Sequence, residues 1–137
     1  MKVLTIREPW ASLIINGYKK YEFRSWKTNY RGKLLIHAGS TLEKDMVSRF
    51  KDYNLSYKMG YIIGEVNLVD CIKVDKEFND KLLNENKLVY GKSNHVEKYA
   101  WELEDIVIYK EPMYVKGKLG LWDYNDDINK SYSKIKN

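Results

Sequence analysis

The chain has 137 residues, of which 44% are apolar and 14% aromatic, and its formal net charge is +5. This length predicts one domain, and the apolar content is sufficient for one hydrophobic core. A single cysteine excludes an intramolecular disulfide, and two distant histidines leave no metal-ligand spacing, so we expect neither a metal nor a cofactor.

The N-terminal third predicts a strand, a short helix and an extended segment. The strand covers the apolar run Val3–Ile6, and Pro9 suits the first position of the helix that follows. Gly17 ends this helix as a left-handed cap. Residues 18–26 then read as extended chain with charged side chains, in which strand alternation would place Lys19 on the face opposite Glu22.

The central part predicts two strands that flank a helix. Lys33–Ala38 is an apolar strand, and Tyr61–Val69 is a longer β-rich run. Ser40 with Glu43 three residues later is typical of a capping box at the start of a helix. Gly64 interrupts the second strand and indicates a bulge or a close backbone approach.

The C-terminal part predicts a short helix at Asp75–Asn84, a polar loop over residues 84–96, and strands at Tyr99–Tyr109 and Lys118–Trp122. Residues 125–137 are polar and lysine-rich without apolar periodicity, which predicts a flexible tail.

Many short strands with two or three helices predict a small α+β domain over residues 1–124. A curled sheet or a barrel would bury the numerous β-branched residues and avoid open edges. The N-terminus has no apolar signal core, and no stretch approaches the roughly 18 apolar residues of a membrane span. The lone cysteine lies in an apolar run and fits a reducing compartment. We therefore expect a cytoplasmic protein that does not enter a membrane.

The positive charge is concentrated near the N-terminus. Residues 1–35 contain eight Lys/Arg and two Asp/Glu, whereas the remaining residues contain 16 and 17. A local basic segment indicates an acidic partner more strongly than a diffuse excess does.

Several motifs, in order along residues 2–124, carry a resemblance to a known family. They are Leu4-Thr5-Ile6-Arg7-Glu8-Pro9-Trp10, Gly17-x-Lys19-x-x-Glu22-x-Arg24-x-Trp26, Tyr30-Arg31-Gly32-x-Leu34-Leu35-Ile36-His37-Ala38, Ile63-Gly64-Glu65-Val66, Tyr99-Ala100-Trp101-Glu102-Leu103 and Val115-Lys116-Gly117-Lys118-Leu119-Gly120-Leu121-Trp122. Together they resemble an ASCH domain of the PUA-like superfamily. The resemblance implies a small β-barrel flanked by two or three helices, and RNA or nucleotide binding in a cleft between the first helix and the barrel. It also implies an alternative, because some bacterial members remove the acetyl group from acetylcytidine and others are proposed ribonucleases.

Charged and aromatic side chains in these motifs are candidates for nucleic-acid binding. Guanidinium groups suit phosphate, tryptophan rings can stack on bases, and a strand-end histidine can donate hydrogen bonds. The predicted binding residues are Arg7, Trp10, Lys19, Glu22, Arg24, Trp26, Arg31 and His37. Trp10 is equally well explained as a core residue of the helix, and His37 as a structural residue.

If the protein is an enzyme, the catalytic candidates are Lys19, Glu22 and Glu65. A desolvated lysine can act as a base or nucleophile, and carboxylates can transfer protons. Glu65 is flanked by apolar residues, so it lies either in the cleft or beside Lys19 as its partner. The acetylcytidine amidohydrolases carry a nucleophilic threonine at the position aligned with Glu22, and a carboxylate cannot replace that hydroxyl.

Three hypotheses follow from these residues. The first is a binding module for RNA or a nucleotide, and the second is a hydrolase that acts on a modified nucleoside or on RNA. The third is an adaptor whose basic surface contacts an acidic protein. The first is the principal prediction, with RNA or a modified nucleotide as partner.

Overall fold

The computed structural model describes residues 1–125 and the backbone of residues 134–136. Its elements, in chain order, are β1 (Lys2–Glu8), α1 (Trp10–Ile15), β2 (Tyr21–Arg24), β3 (Gly32–Leu42), α2 (Lys44–Arg49), a 3-10 turn (Lys51–Tyr53), β4 (Tyr61–Lys73), α3 (Lys76–Glu85), α4 (Lys87–Tyr90), β5 (Tyr99–Tyr114), β6 (Leu121–Asp123) and β7 (Lys134–Lys136).

The strands form one mixed sheet in the order β2-β5-β4-β3-β1-β6, with β7 paired to β5. β1 and β3 run parallel, and the other neighbours are antiparallel. The α+β class is therefore confirmed. Closure into a barrel is not confirmed, because β2 and β6 lie at opposite ends of the strand order and the described residues show no pairing between them.

The central strands bury side chains on both faces of the sheet. On one face Leu4 and Ile36 join Trp101 and residues of α1 in the main core. On the other face Val3 and Leu35 join a second, smaller cluster. Burying a side chain of this size stabilises the fold by about 1.5–3 kcal/mol. The two-sided burial accounts for the unbroken apolar runs in β1 and β3.

Several local predictions are confirmed. The strand and helix at the N-terminus are present, and Gly17 adopts a φ of +84° directly after α1. The predicted helix after Asp75 is α3, and the Asp75 carboxylate caps it by accepting a hydrogen bond from the Phe78 amide. A Cβ on Gly64 would lie 2.4 Å from the Val107 carbonyl oxygen, so this glycine permits the close strand approach that was predicted.

Two local predictions are wrong. Ser40 belongs to β3, which continues to Leu42, and no side chain caps α2. The carboxylate of Glu43 instead accepts a hydrogen bond from the Trp10 indole, because strand pairing holds the chain extended past the predicted helix start. The predicted loop over residues 84–96 contains α4, whose first turn is capped by the side chain of Asn86.

Residues 1 and 124 lie side by side. The Met1 amino group donates a hydrogen bond to the Tyr124 carbonyl over 2.8 Å, and Lys2 pairs with Asp123 across β1 and β6. Most of the predicted tail, residues 125–137, lies outside the described residues, although the backbone of residues 134–136 forms β7. None of the described helices is long and apolar enough to cross a bilayer.

The start of α1 depends on the buried carboxylate of Glu8. One oxygen accepts the Ser12 amide over 2.8 Å and the other accepts the Ser12 hydroxyl over 2.6 Å. Burial raises the pKa of Glu8, although the two hydrogen bonds from Ser12 oppose that change. The contact satisfies donors that a helix start otherwise leaves unpaired.

We predict that Glu8→Ala lowers the free energy of unfolding by about 1–2 kcal/mol, because it leaves the Ser12 amide without its acceptor and the Ser12 hydroxyl with only a long contact to the Ser56 carbonyl, at 3.5 Å. Urea denaturation measures this loss. Glu77→Ala, in the exposed first turn of α3, is the matched control and should change stability by less than about 0.5 kcal/mol. Equal effects of the two substitutions would show that the Glu8 contact is unimportant.

Candidate functional site

A cleft of about 770 Å³ opens beside the end of β1. Its floor comes from β2 and the residues that precede it, and the start of α1 contributes Trp10. One wall is formed by the segment that follows α4, and the other by the segment between β5 and β6. The cleft therefore lies where the two ends of the strand order approach each other.

The cleft floor contains a charged cluster of Lys19, Glu22 and Arg24. Lys19 is 5% exposed, and its Nζ lies 2.9 Å from Glu22 Oε1. The other oxygen, Glu22 Oε2, lies 3.1 Å from Arg24 Nη2. The single negative charge of Glu22 cannot neutralise both Lys19 and Arg24, so the cluster has a net positive charge.

Arg24 also joins β2, at one end of the strand order, to β1, the strand next to the other end. Its Nη2 donates a hydrogen bond to the backbone carbonyl of Thr5 in β1 over 2.8 Å. Because β1 and β2 are not hydrogen-bonded neighbours, this side chain spans the opening that strand pairing leaves.

The prediction that Lys19 faces away from Glu22 is wrong. Strand alternation begins only at Tyr21, where β2 starts. The amide of Lys19 still donates to the Leu13 carbonyl at the end of α1, over 3.2 Å. The turn after α1 therefore sets the direction of the lysine side chain.

Burial changes the ionisation of this cluster. Burial lowers the pKa of Lys19; the Glu22 carboxylate acts against this, while the positive charge of Arg24 adds to it. Burial alone would raise the pKa of Glu22, but Lys19 and Arg24 outweigh burial and hold that pKa below its usual value. Glu22 is accordingly an anion at neutral pH.

Aromatic rings surround the ammonium group of Lys19. Its Nζ lies 5.1 Å from the centre of the Phe23 ring and 5.6 Å from the centre of the Trp10 ring. Both distances suit a cation–π interaction. The Trp10 indole donates to Glu43 Oε2 over 3.0 Å, which fixes the ring at the edge of the cleft.

His95, to which the sequence assigned no role, belongs to the cleft. Its ring stacks on Phe23 with the ring centres 3.8 Å apart. Burial, followed by the positive charge of Lys19, lowers the pKa of His95 to about 4. The imidazole is therefore neutral at pH 7.

His37 supports the cleft wall between β5 and β6. Its Nε2 donates to the carbonyl of Val115 over 2.9 Å, and its Nδ1 lies 3.3 Å from Thr5 Oγ1. Thr5 Oγ1 in turn donates to the Lys118 carbonyl over 2.6 Å. A Cβ on Gly117 would lie 2.4 Å from His37 Cε1, so only glycine lets the wall lie against this ring.

Cations outnumber carboxylates in the lining. Seven Lys or Arg side chains line the cleft with two glutamates, and both glutamates are already in ion pairs. Four of the cations are exposed and form no ion pair with any described residue; they are Arg7, Lys98, Lys116 and Lys118. The cleft therefore presents a positive surface to a ligand.

The structure brings together six of the eight predicted binding residues. Arg7, Trp10, Lys19, Glu22, Arg24 and His37 all line the cleft. Trp26 lies outside it and packs edge-on against Trp101 with the ring centres 4.9 Å apart. Arg31 also lies outside and donates to the carbonyls of Thr28 and Tyr30.

Glu65 is not in the cleft lining and is not the partner of Lys19. Tyr109 Oη donates to Glu65 Oε1 over 2.8 Å, and Lys33 Nζ lies 3.6 Å from Glu65 Oε2. Of the three predicted catalytic residues, only Lys19 and Glu22 meet in the cleft. Within residues 1–125, no three His, Cys, Asp or Glu side chains form a group suited to a metal ion.

Sequence reasoning missed four of the seven basic side chains in the lining. Lys92 and Lys98 flank the segment after α4, and Lys116 and Lys118 flank Gly117. All four lie beyond the basic segment of residues 1–35. The only local signal for these lysines was the sequence Lys116-Gly117-Lys118, in which a glycine between two cations indicates a turn that exposes both.

We predict that Glu22→Gln is more destabilising than Lys19→Met. The first change leaves the buried Lys19 and the partly buried Arg24 without a carboxylate and should cost about 3 kcal/mol. The second preserves the pair of Glu22 with Arg24 and should cost less than half of that. Urea denaturation of both variants measures the difference, and the reverse order would contradict this account of the cluster.

We also predict that His95 makes stability pH-dependent. Its folded-state pKa of about 4 lies below its ordinary value of 6.5, so between these values the unfolded chain binds more protons. The contribution of His95 to the free energy of unfolding is therefore fully present above pH 6.5 and is lost as the pH falls towards 4. Thermal melts across this range should show a smaller pH dependence for His95→Gln than for the wild type, and identical profiles would exclude the effect.

Two curated proteins are similar to almost the whole chain. Human Activating signal cointegrator 1 is 26% identical over 145 residues, which covers 96% of this chain and 23% of that protein. The mouse protein of the same name is 29% identical over 143 residues, with the same coverage. The chain thus spans about a quarter of the length of these relatives.

Solved structures share the fold. The crystal structure of ASCH from Zymomonas mobilis has a TM-score of 0.64 and 15% identity, and the match covers 98% of this chain and 97% of that one. A serine-to-alanine mutant of the ASCH protein from the same organism gives a TM-score of 0.61 at 15% identity, with 96% of each chain covered. The family model for the ASCH domain matches residues 4–116, so the chain belongs to the ASCH domain family.

Proposed function

We propose that this ASCH domain binds RNA or a nucleotide in the cleft beside Lys19. The observation that carries the proposal is the set of four exposed cations in the lining that pair with no carboxylate within residues 1–125, namely Arg7, Lys98, Lys116 and Lys118. Phosphate groups are the natural counterions for such a surface, and their binding releases condensed salt ions.

The size and chemistry of the cleft suit a nucleotide. Its volume of about 770 Å³ falls in the range of pockets that enclose small organic ligands. Trp10 at its edge and the stacked pair of Phe23 and His95 offer aromatic surface for a base. Glu22 and Lys19 in the floor supply an acceptor and a donor for a base edge.

The names of the relatives are also compatible with a protein partner. The curated relatives are named Activating signal cointegrator 1, and the present chain corresponds to 23% of their length. An acidic peptide would satisfy the same cations. Nucleic acid is the preferred ligand because every nucleotide carries a flat base beside its phosphate, whereas the acidic residues of a peptide carry no ring.

One observation favours a hydrolase as the second candidate. Burial lowers the pKa of Lys19, which increases its capacity to act as a base towards a bound ligand. Glu22 is close enough to exchange a proton with it. Incubation with acetylcytidine and with labelled RNA tests this candidate, since Lys19→Met should abolish any turnover while the protein remains folded.

The binding proposal predicts salt-sensitive affinity for single-stranded RNA. Fluorescence anisotropy between about 50 and 200 mM salt should give a logarithmic slope of about −0.7 for each phosphate that a cation neutralises. Lys116→Ala and Lys118→Ala should each weaken binding and make this slope shallower. Lys81→Ala removes the same charge from exposed α3, outside the cleft, and is the matched control.

Two results would contradict the proposal. Lack of RNA and nucleotide binding at low salt would leave an acidic protein as the ligand of the cleft. Equal effects of Lys81→Ala and Lys116→Ala would show that net charge, rather than the cleft, determines the affinity.

A further inference from the structure

The segment from Tyr114 to Gly120, here called the rim, carries unusually exposed apolar side chains. Tyr114 is 67% exposed and Leu119 is 93% exposed, and both lie at the mouth of the cleft. Lys116 and Lys118 lie between them along the rim. A surface that combines apolar side chains with exposed cations fits a ligand that is both aromatic and anionic.

The exposure is not explained by a loosely held loop, because the backbone of the rim is fixed at both ends. The Val115 amide donates to the Gly60 carbonyl over 3.0 Å, and the Thr5 amide donates to the Gly120 carbonyl over 3.1 Å. His37 and Thr5 bind the carbonyls of Val115 and Lys118 between these points. The rim therefore presents its side chains from a defined position.

The ring of Tyr114 is itself supported from the protein side. It lies over Gly60, where a Cβ would be 2.7 Å from its Cε1 atom, and it contacts Tyr61 edge-on with ring centres 5.5 Å apart. Glycine at position 60 lets the ring rest on the backbone. A ring supported in this way loses little further freedom when a base stacks on it.

We infer that the rim is a second subsite, which binds the nucleotide adjacent to the one held in the cleft. Tyr114 stacks on that base, Leu119 contacts it from the far side of the rim, and the two lysines hold the connecting phosphates. This inference rests on the proposed function and restricts the class of ligand. The preferred ligand is a single-stranded oligonucleotide rather than a mononucleotide. A duplex is excluded because its bases already stack on one another.

Competition against a labelled single-stranded RNA tests the inference without knowledge of the preferred base. The competitors are an equimolar mixture of the four ribonucleoside 5′-monophosphates and a randomised tetraribonucleotide with a 5′-phosphate. The wild type should bind the tetramer at least about tenfold more tightly than the mononucleotides, since stacking of one base contributes about that factor.

The variants separate stacking from charge. Tyr114→Ala should remove most of the gain in affinity from mononucleotide to tetranucleotide, and should weaken mononucleotide binding much less. Tyr114→Phe should retain this gain. Leu119→Ala should reduce the gain in part. Tyr18→Ala removes a similarly exposed tyrosine outside the cleft and should change neither affinity. The tyrosine contribution should persist at about 200 mM salt, where the contribution of the lysines declines.

Equal wild-type affinity for the tetramer and the mononucleotides would overturn the inference and leave the proposed function intact. A gain with length that Tyr114→Ala does not alter would likewise overturn it, since the extra affinity would then be electrostatic. Failure of both competitors to bind at low salt would overturn the inference together with the proposed function.

Discussion

The constraint on which the cleft depends is the removal of charge from water where the sheet stays open: Lys19 and Glu22 are buried there, and Arg24 is partly buried. Removing Lys19, Glu22 and Arg24 from water is costly, and the cost is offset only because each oxygen of Glu22 binds one cation. Arg24 extends this cluster to the Thr5 carbonyl and so links β2 to β1, which no strand pairing joins. The cluster that links β2 to β1 through Arg24 thus also gives the cleft floor its positive charge.

A second group of contacts determines the shape of the cleft rather than its charge. His37 donates to the Val115 carbonyl, and Thr5 donates to the Lys118 carbonyl on the other side of Gly117. The Trp122 indole donates to the same Thr5 hydroxyl over 2.9 Å. These side chains act on the cleft by positioning its wall. His37 is only 4% exposed and has little surface to offer a ligand, so the structure gives it a supporting position in the wall.

Local sequence signals were sufficient for most of the fold. The β-rich run that forms β4 and the Asp75 cap of α3 depend on neighbours within a few residues, so composition and spacing reveal them. The direction of Lys19 was not predictable by alternation, because the turn after α1 sets it. The contact of Glu43 with Trp10 joins residues 33 positions apart, and the lysines of the rim reach the cleft through the pairing of β6 with β1. Whether a sheet closes into a barrel also depends on contacts between strands far apart in sequence, so local signals could not predict it.

The adjacency of Met1 and Tyr124 has a consequence for how this fold can be combined with other chains. Because β1 pairs with β6, residues 1 and 124 leave the sheet at one place, and residues 1–124 could be inserted as a unit into a loop of another protein. The Met1 nitrogen would remain a hydrogen-bond donor after it became a peptide amide. For the same reason a short linker from Tyr124 to Met1 would allow circular permutation of residues 1–124, with the chain reopened at the exposed turn before β4.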